Sequence, residues 1–178
     1  PSLGLITTDS DDATYIALDE ATKAADVTVS YGRSFYAGAA NASTPYAGEV
    51  MGILSAATPG AVRSGMAAVT AALERIGFDE TGKIPYLAYT VSSCGAFLSG
   101  EAGVRAALPY LIAPPLESMV GLDAALKAAD VKLCKLYAPP TETNFGGGLL
   151  TGTQSACAAA CEAFKNAVAK IAEMPIEG

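Results

Sequence analysis

A ten-residue string that occurs twice limits the possible folds of this chain more than any other feature of the sequence. Residues 18–27 return as residues 122–131, at an offset of 104 (122 − 18), and eight of the ten positions are identical. An internal repeat indicates a fold built from similar units. Each copy is rich in alanine and runs into an apolar stretch. We therefore predict a helix followed by a strand in both copies, with the pairs Asp19–Lys23 and Asp123–Lys127 on the exposed helix face.

A second pair of segments supports the duplication. Apolar residues at helical spacing recur at an offset of 95 (157 − 62), namely Val62, Met66, Val69, Leu73 and Ile76 in the first segment and Cys157, Cys161, Phe164, Val168 and Ile171 in the second. Thr58 and Thr153 precede these helices at the same offset, and threonine is a favoured N-cap residue. The sequence therefore predicts two copies of one α/β module. The polar break at residues 79–83 separates a first domain at 1–80 from a second domain at 81–178.

The predicted elements follow the hydrophobic pattern and the turn residues. Strands are expected at 3–7, 27–31, 50–54, 85–92, 110–113 and 131–137, with a last strand beginning at 149. Helices are expected at 13–25, 59–76 and 117–129, and a last helix is expected to end near 173. A short helical turn is expected at 101–107. Residues 34–48 and 139–148 are predicted to be long loops. The second ends in three glycines, which favour a segment that must move.

The composition excludes several classes of function. A net charge of −7 argues against nucleic-acid binding, which needs a clustered basic footprint. No apolar run approaches the roughly 20 residues that span a bilayer. The chain has no histidine, which removes the commonest general base and most zinc sites. With 51% hydrophobic and only 16% charged residues, much of the surface is expected to be covered by partners.

The four cysteines allow two interpretations. Cys157 and Cys161 are spaced like a metal or redox pair, but the repeat places them where the first copy has Val62 and Met66. We favour small core residues, because a buried free cysteine behaves as a small hydrophobe. This usage fits a reducing cytosol.

Acidic residues before the first helix are the most polar cluster in the chain. The spacing of Asp9, Asp11 and Asp12 partly resembles that of the acidic ligands in an EF-hand calcium loop, but the other ligand residues of such a loop are missing. Capping of the helix by Asp or Ser is the simpler explanation. The glycines form no phosphate-binding pattern and no nucleophile–base arrangement is visible, so nothing in the sequence supports an enzyme.

Several strings, in order along nearly the whole chain, resemble the bacterial microcompartment (BMC) shell proteins, and most closely the tandem-domain shell proteins of ethanolamine-utilization compartments. The strings are Leu3-Gly4-Leu5-Ile6, Thr8-Asp9-Ser10-Asp11-Asp12, Tyr31-Gly32-Arg33-Ser34, Ala47-Gly48-Glu49-Val50 and Ala113-Pro114-Pro115-Leu116-Glu117. The resemblance implies an α/β (α+β) fold of two tandem, circularly permuted BMC domains with mainly antiparallel sheets flanked by helices. Members of this family usually begin with a further strand and helix, so we expect the first domain of this chain to lack them.

The resemblance also implies a function and a set of residues. It implies a cytoplasmic shell protein, not an enzyme, which forms a pseudo-hexameric homotrimer with gated pores and contacts other shell proteins laterally. Asp11 and Glu49 match acidic pore positions that bind ethanolamine, with Tyr46 and Ser10 as weaker candidates. The gate loop would comprise Asn144, Phe145, Gly146, Gly147 and Gly148. Lys23 and Lys127 match lysines at shell edges.

No cofactor is required under this interpretation, although cobalamin would be a molecule that passes or occupies the pore. Relatives can carry a histidine near Asn41 that helps to bind a metal, and its absence argues against a metal here. The alternative from another functional class is a soluble sensor or binding protein for a small amine, built on the same duplicated domain.

Overall fold

The computed structural model of the chain describes residues 1–34, 50–82, 84–139 and 145–174. It contains eight strands and five helices within those ranges. The strands are β1 (Ser2–Thr8), β2 (Thr28–Ser34), β3 (Val50–Ala56), β4 (Asp79–Thr81), β5 (Ile84–Val91), β6 (Leu108–Ala113), β7 (Val131–Tyr137) and β8 (Gly146–Gly152). The helices are α1 (Asp11–Ala24), α2 (Pro59–Leu73), α3 (Ala96–Ala102), α4 (Pro115–Ala128) and α5 (Gln154–Glu173).

The chain folds into two compact units. The first comprises Pro1–Gly77 with Gly95–Glu101, and the second comprises Phe78–Cys94 with Ala102–Gly178. The domain prediction assigned all of 81–178 to the second copy, whereas the segment around α3 packs into the first unit. The helical turn predicted at 101–107 lies earlier in the chain, as α3, because Gly103 has a left-handed φ of 70° and the helix ends before it.

The first unit is a three-stranded antiparallel sheet in the order β1-β3-β2, with α1 and α2 on one face. Val50 and Leu54 of β3 point to the helices and are buried, while Met51 between them is exposed. Gly4 of β1 lets α2 approach closely, because a Cβ there would lie 2.8 Å from Val62 and Met66. The alternation of strand side chains therefore separates a core face from an open face.

The second unit repeats this arrangement and extends it. Its sheet has the order β4-β5-β6-β8-β7, and every strand pair in it is antiparallel. Helices α4 and α5 pack against each other and against the sheet. The core between them includes Leu111, Leu122, Leu150 and Phe164.

The two units match at the level of strand register. The order β1-β3-β2 corresponds to β6-β8-β7, and a bulge skips Ser30 in β2 and Cys134 in β7, which are 104 residues apart (134 − 30). Thr58 and Thr153 cap α2 and α5, each accepting a hydrogen bond of 3.2 Å from a backbone N–H three residues later. The predicted duplication and the mainly antiparallel sheets are confirmed.

The units differ at the outer edge of the first strand. In the second unit β5 pairs with β6 and buries Leu108 and Tyr110. Their counterparts in β1, Leu3 and Leu5, are exposed, since β1 is the edge strand of its sheet. An edge strand presents unpaired backbone N–H and C=O groups.

Asp19 is a correction to the sequence analysis, which placed it on an exposed helix face. Its side chain is 0% exposed, whereas that of the repeat partner Asp123 is 62% exposed. The carboxylate of Asp19 accepts hydrogen bonds of 2.7 Å from the backbone N–H groups of Gly95 and Leu98 at the start of α3. Burial raises the pKa of Asp19, and the two N–H groups and Lys23 oppose that shift.

We expect Asp19→Asn to lower the free energy of unfolding by about 2 kcal/mol, because the amide offers one acceptor oxygen to two buried N–H groups. The matched change Asp123→Asn, at the repeat position on an exposed face, should leave stability nearly unchanged. Urea unfolding followed by circular dichroism measures both variants. Equal losses would contradict a special role for the buried carboxylate.

The glycine run is a second correction. Gly146, Gly147 and Gly148 lie in β8, between β6 and β7, and not in a loop. A Cβ on Gly147 would lie 1.9 Å from the carbonyl oxygen of Leu111, and one on Gly148 would lie 2.6 Å from that of Lys135. The glycines are therefore required by close approach of neighbouring strands rather than by mobility.

Gly147→Ala should destabilise the second unit by more than about 3 kcal/mol or prevent folding, since backbone atoms must move to admit the methyl group. Gly100→Ala in α3 is the control, because a Cβ there meets nothing within 4 Å and alanine favours a helix. Thermal unfolding and soluble yield report both outcomes. A stable Gly147→Ala protein would disprove the close strand approach.

Candidate functional site

Polar side chains concentrate where β1 ends and α1 begins. The hydroxyl groups of Thr8 and Thr14 lie 2.5 Å apart, so one donates to the other, and their oxygens lie 3.1 and 2.7 Å from the carbonyl oxygen of Ser10. The Ser10 side chain caps α1 by accepting a hydrogen bond of 3.4 Å from the N–H of Ala13. These bonds fix the direction in which the helix leaves the sheet, and they confirm the capping interpretation for this turn.

Asp11 occupies the first turn of α1. Its Oδ1 atom accepts a hydrogen bond of 2.9 Å from the N–H of Asp12, and its side chain is partly exposed. Asp12 is buried. Two acids in the first turn are favoured by the positive end of the helix dipole, so this position tolerates a concentration of negative charge.

The second copy replaces this polar cluster with apolar residues. Pro114 precedes α4 and makes no side-chain capping bond, and Pro115 stands where the first copy has Asp11. Proline at the first helical position starts a helix without a polar cap. Since the module can fold without these groups, Ser10 and Asp11 are candidates for a role beyond folding.

Ser34 is a candidate that the sequence analysis did not identify. Val50 pairs with Thr8 on one side and with Ser34 on the other, so the three residues lie side by side across the sheet. Directly opposed residues point to the same face, which places the Ser34 hydroxyl on the helix side, about 10 Å from Thr8 across two strand spacings. It is buried, and among the described residues its Oγ has no hydrogen-bond partner. Buried polar atoms are normally hydrogen-bonded, so this hydroxyl is a candidate contact for a ligand. The sequence alone does not show that Ser34 is buried.

The structure describes only some of the other predicted site residues. Glu49, Tyr46 and Asn144 lie outside the described residues. Phe145 packs edge-on against Phe78, with ring centroids 5.6 Å apart. Gly146, Gly147 and Gly148, which the prediction also assigned to the gate loop, lie in β8.

The two predicted edge lysines differ in environment. Lys127 is 74% exposed and donates a 2.6 Å hydrogen bond to Asp123. Lys23 is less exposed and pairs with Glu20 and, at 3.8 Å, with Asp19. An exposed lysine with one flexible carboxylate partner is available for a contact with another molecule.

Cys157 and Cys161 are buried in the core, as predicted. Cys94, Cys157 and Cys161 are buried and Cys134 is partly exposed, and all four are free thiols. Cys161 Sγ lies 3.2 Å from the hydroxyl of Thr90, and burial raises its pKa to about 11. Burial also raises the pKa of Cys134 and Cys157.

In native protein near pH 8 we expect one thiol, Cys134, to react with Ellman's reagent well before the others, because thiolate and access are both needed. Unfolding in urea should expose all four cysteines. Cys134→Ser should remove the fast phase and Cys157→Ser should keep it. A fast phase retained in Cys134→Ser would contradict the burial pattern.

Within the described part of the chain, no group of three or more acidic or cysteine side chains is placed to hold a metal ion. No helix in those ranges is long and apolar enough to cross a bilayer.

Comparisons with known proteins agree with the duplicated fold. Residues 2–84 match the model of the BMC domain family. The microcompartment shell protein EutL of Clostridium perfringens is 59% identical over 98% of this chain and 83% of its own length. Its crystal structure superposes with a TM-score of 0.91 over 98% of this chain and 82% of that one. A crystal structure of the ethanolamine utilization protein EutL from Leptotrichia buccalis is 55% identical, with a TM-score of 0.91 over 99% of this chain and 84% of that one.

A more distant structure shares the fold alone. The trimeric shell protein PduB is 18% identical, with a TM-score of 0.82 over 98% of this chain and 79% of that chain. The duplicated antiparallel module and these similarities define a shell protein with tandem, circularly permuted BMC domains. Within that class, the chain belongs to the EutL family of bacterial microcompartment shell proteins.

Family membership decides between the alternatives that the sequence left open. The chain is a structural component of a microcompartment shell in the cytoplasm, not an enzyme. The interpretation as a soluble amine sensor without a shell is not supported.

Proposed function

We propose that three copies of this chain form a pseudo-hexameric tile in the shell of an ethanolamine-utilization compartment, and that each copy binds ethanolamine at the start of α1. Asp11 and Glu49 hold the ammonium group, with Ser10 and Tyr46 nearby. The observation that supports a ligand site is the asymmetry between the units, since the first unit carries a polar cluster that the second replaces with proline.

The chemistry of the ligand suits the residues. A primary ammonium group is held best by carboxylates, which form charge-assisted hydrogen bonds with it. Glu49 directly precedes Val50, and Val50 pairs with Thr8, three residues before Asp11. The chain thus enters β3 at the end of the sheet where β1 runs on towards Asp11. The hydroxyl group of ethanolamine needs a polar partner as well, and the buried Ser34 hydroxyl can supply one.

Ethanolamine regulates the tile in this proposal by favouring a closed pore. A ligand shifts the equilibrium between the open and the closed pore only as far as its affinities for the two states differ. The gate would comprise Asn144 and Phe145 with the preceding residues of the loop. Opening would admit larger molecules, cobalamin among them. Lys23 and Lys127 would contact neighbouring tiles laterally.

The test is titration calorimetry with ethanolamine on the unchanged chain and on Asp11→Asn and Glu49→Gln. Each variant removes one carboxylate and should weaken binding at least about tenfold, or 1.4 kcal/mol. Asp26→Asn, an exposed acid just past the end of α1, is matched in charge and should bind as the unchanged chain does. Absence of binding by the unchanged chain, or equal binding by all variants, would overturn the site.

Ser34→Ala separates the hydroxyl contact from the ammonium contact. It should weaken binding of ethanolamine but not of ethylamine, which has no hydroxyl group. Equal weakening of both ligands would indicate a structural role for Ser34 instead. Sedimentation velocity on the same samples reports the trimer and its lateral association independently of the ligand.

A further inference from the structure

We propose that Phe97 is a specificity-determining residue of the ligand site at the start of α1. Its ring closes the apolar side of that site and limits the ligand to an amino alcohol without branches on its carbon chain. The inference rests on the proposed function, since it concerns the same site. Phe97 belongs to α3, and the contacts that α3 makes within the first unit place its ring.

Hydrogen bonds on both sides of Phe97 hold α3 against α1. The carboxylate of Asp19 accepts the N–H groups of Gly95 and Leu98 at 2.7 Å. The hydroxyl of Thr22 accepts the N–H group directly after Gly95, at 2.9 Å. A Cβ on Gly95 would lie 2.5 Å from the carbonyl oxygen of Asp19, so the two backbones are in close contact. The backbone that carries Phe97 is therefore fixed, and a side chain on a fixed backbone can select a ligand by shape.

The ring of Phe97 lies in the gap between α1 and β2. On the strand side, a Cβ on Gly32 would lie 3.3 Å from the Cζ atom of the ring, so the missing side chain makes room for it. On the helix side, the centroid of the ring is 6.0 Å from that of Tyr15. Both aromatic side chains are only partly buried. The Phe97 ring therefore fills the gap and keeps an accessible surface.

This gap continues into the proposed ligand site. Helical side chains lean towards the N-terminus of their helix, so the Tyr15 ring lies over the turn that contains Asp11, four residues earlier. Along β2, Ser34 follows Gly32 by two residues and points to the same face of the sheet. The two rings thus lie beside both the carboxylate proposed for the ammonium group and the hydroxyl proposed for the hydroxyl of the ligand.

The second unit replaces all four residues around this gap. The counterparts of Asp11, Tyr15, Gly32 and Ser34 at the offset of 104 are Pro115, Met119, Leu136 and Ala138. The carboxylate, the aromatic ring, the space for Phe97 and the hydroxyl are thus exchanged together. Both units keep the same strand order and register, so the fold does not require these four residues. Changes at separate positions that meet at one place indicate a shared role.

The Phe97 ring suits the carbon chain of a small amino alcohol. Sites for small ligands combine apolar walls with a few polar groups that fix the orientation of the ligand. Here the carboxylate and the hydroxyl bind the two ends of ethanolamine, and the ring covers the methylene groups between them. A methyl branch on these carbons would meet the ring, and added volume against a fixed wall is disfavoured.

Titration calorimetry with two ligands tests this role. The second ligand, 1-amino-2-propanol, keeps the spacing of the ammonium and hydroxyl groups of ethanolamine and adds one methyl group. We expect the unchanged chain to bind ethanolamine at least about tenfold more tightly than 1-amino-2-propanol, and this ratio should fall below about twofold in Phe97→Ala. In Phe97→Leu the ratio should lie between these values. Leu5→Ala removes an exposed apolar side chain from the opposite face of the same sheet and should keep the ratio.

The ratio of the two affinities distinguishes a wall of the site from a structural role. If Phe97 only stabilises α3, its loss weakens both ligands alike and the ratio stays the same. Phe97→Leu keeps an apolar side chain and decides the question if the alanine variant does not fold. An unchanged ratio in the variants, or equal binding of both ligands by the unchanged chain, would overturn the inference and leave the proposed function intact. No binding of ethanolamine by the unchanged chain would overturn the proposed function and the inference with it.

Discussion

A carboxylate can lie in a protein interior only when hydrogen bonds replace the water that it loses, and Asp19 meets this condition through the backbone of Gly95 and Leu98. The first unit depends on this contact, because it joins α1 to a segment 76 residues away in the chain. Without this contact, the buried carboxylate of Asp19 would lose both of its backbone hydrogen-bond donors, and the N–H groups at the start of α3 would be unpaired. The opposition between burial and these hydrogen bonds also explains why the pKa of Asp19 is raised although both N–H groups favour the charged form.

The duplication shows which parts of the module are structural and which can change. Strand order, register and the bulge before the middle of β2 and β7 are the same in both units. The start of the first helix is not, since a capped polar turn in one unit corresponds to two prolines in the other. Residues that differ at equivalent positions of one fold are therefore the place to seek function. This reasoning leads to the proposed ligand site in the first unit.

Much of this structure could be predicted from the sequence, and the failures have physical causes. The repeat, the apolar stripes and the threonine caps are local signals, and they predicted the helices to within a few residues. The burial of Asp19 could not be predicted, because its partner segment is distant in sequence and an Asp–Lys spacing looks the same on an open face. The glycines of β8 were misinterpreted since close strand approach and mobility require the same residue. Ser34 gave no signal at all, because only strand register places its hydroxyl in the interior.

The glycine run in β8 has a consequence for the gene that encodes this chain. Repeated segments of a gene tend to be made alike by recombination, and the first copy has Val50, Met51 and Gly52 where the second has Gly146, Gly147 and Gly148. Transfer of the first sequence into the second would place a methionine side chain against the carbonyl oxygen of Leu111, where even a methyl group does not fit. The two copies of the module are therefore not interchangeable at this strand.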